Sequence, residues 1–109
     1  MVPGETSNSQ AEREDSLPPA VVAAYVARCV AALPALKLAF ERSDYDSMRI
    51  FGHRLKGSGA AYGIPVLSEI GSVIEELAAA EDAGELRRQV AVLQVYITIE
   101  ASRGRSSDG

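Results

Sequence analysis

Tryptophan is absent, cysteine and histidine occur once each, and aromatic residues make up 6% of the 109 positions. Each scarcity excludes something. Cys29 has no partner for an internal disulfide, and Cys29 with His53 falls short of the three or four ligands of a zinc site, so neither a metal nor a cofactor is expected. Basic residues are outnumbered, 11 Lys and Arg against 15 Asp and Glu, for a net charge of -4. That is the wrong sign for a phosphate backbone, and nucleic acid is not an expected partner. The longest apolar stretch, Ala20 to Ala27, stops at Arg28, short of the roughly 20 residues that cross a bilayer. Met1 to Ser16 also lacks the basic start and apolar run of a signal peptide, which leads us to expect a cytoplasmic chain without membrane contact. The length allows one domain. With few aromatics, its core must be filled by Leu, Val, Ile and Ala.

What the chain does have is helical periodicity. Residues 1–16 and 102–109 are polar and aperiodic, and read as a disordered N-terminal tail and a flexible C-terminal tail around a folded unit at 17–101. Within that unit apolar residues recur at three and four, and no period-two strand is evident. Pro18 and Pro19 open a stripe of Val22, Val26, Cys29, Leu33, Leu36 and Phe40, which ends near Arg42. Pro34 interrupts it and predicts a first helix kinked or split there. Asp44 caps a second helix from Tyr45 to about Ala61, with Met48, Gly52, Leu55 and Gly59 on its buried side, and Gly63 stops it. Pro65 opens a third helix carrying Leu67, Ile70, Ile74 and Leu77. Asp82 and Glu85 form a capping-box-like start to a fourth, carrying Leu86, Val90, Leu93 and Ile97. Short links make neighbours antiparallel, so the expected fold is all-α, an up-and-down antiparallel four-helix bundle. No long heptad seam is seen, which favours a monomer.

The second helix carries the chemistry. Gly52, Gly57 and Gly59 fall within eight residues of it, and each costs about 1 kcal/mol relative to Ala in a helix interior. At about 100° per residue, Gly52 and Gly59 face the core, where they let a neighbouring helix approach. Gly57 shares the wet face with His53, Lys56 and Ala60, where it contributes nothing to packing but leaves room for a visiting surface. An exposed imidazole is largely neutral at cellular pH, and one of its ring nitrogens then carries a free lone pair. Lys56, one turn on, can offer its ammonium to oxygens of a group attached to that ring. A phosphoryl group suits such a site, because its transfer needs positioning and charge neutralisation above all.

The run HRLKGSGAAYG, His53 to Gly63, resembles the signature of histidine-containing phosphotransfer (HPt) domains, with supporting spacing at Leu33, Leu36, Asp44, Gly52, Leu67, Glu75 or Glu76, and Leu77. The resemblance implies a helical bundle in which His53 accepts a phosphoryl group from a receiver-domain phosphoaspartate and returns it to another response regulator. It implies that Lys56 stabilises the phosphoryl oxygens and that Gly57 gives clearance. The implied partners are response-regulator receiver domains and a hybrid sensor kinase, with any Mg²⁺ carried by the receiver. Arg49, Ile50, Arg54 and Ala60 are the expected docking residues around His53.

No glycine-rich nucleotide loop or Walker sequence is present, so the expectation is a stoichiometric carrier, not an enzyme. Two other readings use the same residues: a helical adaptor that binds receivers or other partners without being phosphorylated, and a phosphoacceptor module detached from a larger sensor kinase. The remaining residues read as structural. Cys29 is expected as a buried, inert thiol, and Ser58 points away from His53. Glu69, Glu75, Glu76, Glu81 and Asp82, with no Lys or Arg among them, read as a solvated face of the third helix.

Overall fold

The computed structural model describes residues 17–108; the expected N-terminal tail lies outside them. Four α-helices, α1 (Pro19–Glu41), α2 (Tyr45–Ser58), α3 (Pro65–Ala79) and α4 (Ala83–Asp108), follow one another, with a 3-10 turn at Ala60–Tyr62 between α2 and α3. No strand occurs among the described residues. The expected four-helix bundle is what the chain forms.

Its core is aliphatic. Val26, Leu33 and Leu36 of α1 meet Met48 and Leu55 of α2, Leu67 and Ile74 of α3, and Leu86, Leu93 and Ile97 of α4, all buried. The first helix departs from expectation by running unbroken through Pro34. Proline removes one backbone donor, leaving the Val30 carbonyl without its usual partner. Val30 and Pro34 both lie on the solvent face, where water can serve that carbonyl. The unbroken helix is also long and apolar enough to cross a membrane by length and composition, with mean hydropathy 1.7 over an 18-residue window. The single arginine at 28 does not interrupt it as the run-length reading supposed. In the bundle, one side of this helix supplies core.

The links are short because each residue does two jobs. Ser43 and Glu81 take left-handed φ values of 56° and 55°, a conformation that costs a non-glycine residue about 1 kcal/mol. Each is followed by an aspartate whose N–H closes the preceding helix, Asp44 to the Ala39 carbonyl and Asp82 to the Leu77 carbonyl. The same aspartates cap the next helix, accepting from the backbone N–H of Ser47 and of Glu85. Asp82 thus supplies half a capping box, since its own N–H already serves Leu77. At the other end, α4 continues to Asp108, past the boundary expected at Ala101. Once a helix is nucleated, each further residue adds a hydrogen bond, and the Glu100–Arg103 pair one turn apart lies across the expected boundary.

Candidate functional site

The site is built where α2 crosses α3. A Cβ added to Gly52 would stand 2.6 Å from the Glu75 backbone nitrogen, and one added to Gly71 would stand 2.5 Å from that of Lys56. Gly59 makes a third such approach, to Ser68. No side chain fits between the two backbones. The close approach expected of Gly52 and Gly59 is present, and Gly71 on α3 is its unforeseen counterpart. Ser68 adds a polar link, donating to the Lys56 carbonyl and accepting from the Ala60 N–H.

This crossing delivers an acidic side chain to the face of α2 that carries His53 and Lys56. Glu75 lies one turn beyond Gly71, and its carboxylate is divided between two partners: Oε2 meets His53 Nδ1 at 3.1 Å and Oε1 meets Lys56 Nζ at 3.1 Å. The solvated-face reading of Glu75 is therefore corrected. It held only within α3, where no basic residue is available; the partners come from α2. Glu76, about 100° away, remains exposed. The detectable signal was Gly71, a costly mid-helix glycine that shares a face with the residue four positions on.

Electrostatics agree with the geometry. The hydrogen bond from Lys56 holds the Glu75 carboxyl below the usual glutamate range, and the one from His53 adds to this. An ionised carboxylate can only accept, so the contact with Glu75 places a hydrogen on Nδ1 of His53, and in the neutral ring Nε2 is then the nitrogen with the lone pair. The imidazole is open to solvent, its side chain 66% exposed. Nothing would lie within 4 Å of a Cβ at Gly57. An exposed imidazole, a tethered cation and a bare stretch of backbone thus share one face.

The other expected site residues are spread around this centre. Arg49 is drawn to Asp46 by an ion pair at 2.8 Å. Ile50 and Arg54 flank His53 on the side away from Glu75, lining a groove of about 690 Å³ between α1 and α2. Ala60 is exposed but lies in the 3-10 turn, since α2 stops at Ser58 and not at Ala61. Its helical alignment with His53 is therefore not kept. Ser58 hydrogen-bonds Tyr25 across the α1–α2 junction at 2.6 Å, a structural contact. Cys29 is buried, and burial pushes its thiol pKa up.

A protein-family model, the Hpt domain, matches residues 20–103. The chain belongs to the Hpt domain family. Hpt domains are histidine phosphotransfer modules of two-component phosphorelays; they carry phosphoryl groups and interact with the receiver domains of response regulators. Neither a curated protein nor a solved structure matches the chain. As an Hpt domain it uses α1, for all its apolarity, as one wall of the helical bundle.

Proposed function

We propose that this Hpt domain accepts a phosphoryl group on Nε2 of His53 and passes it between receiver domains. One observation carries the reading: the Glu75 carboxylate grips Nδ1 of an exposed imidazole while holding the Lys56 ammonium beside it. The Nε2 lone pair attacks the phosphorus of a receiver phosphoaspartate. A nitrogen–phosphorus bond forms, the bond to the aspartate oxygen breaks, and the aspartate leaves as a carboxylate. The ring, still protonated at Nδ1, then carries positive charge, which Glu75 stabilises. Lys56 neutralises the phosphoryl oxygens. Transfer to a second receiver reverses these steps.

Gly57 gives the receiver's loops clearance, and Arg49, Ile50, Arg54 and Ala60 form the docking surface around His53. The phosphoryl donor is the receiver of a hybrid sensor kinase or another response regulator, and Mg²⁺ arrives with the receiver. The domain acts as a stoichiometric cytoplasmic carrier and a monomer, with no nucleotide chemistry of its own. The test is to incubate the protein with a phosphorylated receiver and follow the label. We expect acid-labile, base-stable label on the wild type and none on His53→Gln; label that never leaves the receiver, or that reaches His53→Gln equally, would refute the proposal.

A further inference from the structure

The groove between α1 and α2 encloses about 690 Å³, and its floor is apolar, built from Ala32, Ala35, Leu36 and Phe51. Its charged lining residues are Arg28 on α1 and Arg54 on α2, with no Asp or Glu beside them. Among the described residues, neither arginine has a carboxylate within ion-pair distance. Arg28 is nevertheless held in place. Its guanidinium lies 5.8 Å from the centres of the stacked Tyr25 and Tyr62 rings and donates to the Tyr62 hydroxyl at 3.4 Å. These partners orient the cation without neutralising it.

Both arginines stand at one end of the groove. The Tyr25–Ser58 hydrogen bond sets the register of the antiparallel helices, so one turn further along α1 Arg28 comes level with Arg54, one turn back along α2. From that level the trough runs over about 16 Å of helix to Ala39 and Ser47, past the apolar floor. An apolar trough that ends between two unpaired guanidiniums matches a molecule with an anionic head and an apolar tail. Size selects the class of molecule. A helix about 10 Å across and about 16 Å long fills about 1,250 Å³, nearly twice the volume of the groove. The groove instead falls in the range of small-molecule sites, roughly 300–1,000 Å³.

We propose that the α1–α2 groove binds a single-chain carboxylate amphiphile, its head between Arg28 and Arg54 and its tail along Ala35, Leu36 and Phe51. Guanidinium forks match the two oxygens of a carboxylate. The tail covers a floor on which Ala35 is exposed and Ala32 and Phe51 are half-buried. Binding is independent of any phosphotransfer. Because Ile50 and Arg54 also flank His53, the bound amphiphile competes with receiver docking, a consequence that does rest on the proposed function.

The test is an amide NMR titration of the full chain with sodium dodecanoate below its micelle-forming concentration. The amides of Arg28, Ala35, Phe51 and Arg54 should shift saturably, whereas acetate, the head without the tail, should leave them unmoved. Dodecyltrimethylammonium, which puts a cation on the same tail, should bind far more weakly. Arg28→Gln with Arg54→Gln should raise Kd by about tenfold or more, the scale of a lost hydrogen bond to a charged group. Both side chains are exposed, so the core stays untouched. Ala35→Phe, which fills the floor and keeps both charges, should weaken binding as well. Shifts that do not saturate, that centre on Val92 and Val95 of α4, or that keep the wild-type Kd in the arginine variant would overturn the proposal, as would equal binding of the cationic amphiphile. Dodecanoate should also slow receiver-dependent labelling of the wild type severalfold; equal slowing of Ala35→Phe would overturn the competition, with the titration deciding occupancy.

Discussion

At the scale of single residues, the central object is one carboxylate serving two cations. Glu75 fixes the imidazole tautomer and restrains Lys56, so its removal should affect chemistry more than association. With Glu75→Ala, Nδ1 loses its acceptor and Lys56 its tether, and phosphoryl transfer should slow by about tenfold, the scale of one hydrogen bond to a charged group. Receiver binding should stay close to wild type, because Glu75 lies beneath the face and is only 22% exposed. Single-turnover rates measured against receiver concentration separate the two effects. Acid should act likewise: the Glu75 carboxyl titrates below the usual range because its ionised form is paired. Its contribution is therefore complete above that range and is lost as pH falls through the lowered value. The imidazole ¹⁵N signals of His53 should report loss of the Nδ1 contact over that interval.

At the scale of helices, three glycines of α2 and α3 with the same intrinsic propensity have opposite meanings. Gly52 and Gly71 are filled against by opposing backbone, whereas Gly57 faces open space. Gly57→Ala should therefore raise stability by up to about 1 kcal/mol. Gly71→Ala should lower it by about 1–3 kcal/mol, because the helices must separate to admit the methyl group. Urea unfolding measures both. The same separation would draw Glu75 from His53, so Gly71→Ala should also slow transfer, although residue 71 touches no reacting atom. A large side chain at 57, as in Gly57→Gln, should leave the bundle folded yet slow transfer by obstructing the receiver. An unchanged rate would remove clearance as the reason for that glycine.

At the scale of the whole molecule the bundle is lopsided. The helix bearing His53 is clamped to α3 by backbone contact and stands off from α1 across the groove. The α1 side is held by aromatic and hydroxyl contacts: Tyr25 stacks on Tyr62 with ring centres 4.2 Å apart and hydrogen-bonds Ser58. Burial pushes the Tyr25 phenol up to about 12 from 10.0. The neutral phenol is thus the form that folding favours, and its contribution is present below about pH 10 and is lost as pH rises through 12. Stability measured by denaturant titration should fall over that interval in the wild type. Tyr25→Phe should lack this component of the fall and cost about 1 kcal/mol at neutral pH through the lost hydrogen bond.

Local sequence determined the helices, the aspartate caps, the aliphatic core stripes and the exposed face carrying His53, Lys56 and Gly57. Those features depend on residues three or four apart, and a regular helix converts that spacing directly into a shared face. The tertiary structure alone decided that Glu75 joins them, that Gly71 makes this possible, and that an open trough lies on the other side of α2. Glu75 and His53 are 22 positions apart, and no periodicity within one helix relates them. Their distance depends on how closely two helices cross, which is set by the absence of side chains at the crossing. Pro34 and Ala60 make the same point. Whether a proline splits a helix depends on which face meets water, and whether an alanine follows a histidine's face depends on where the helix changes pitch.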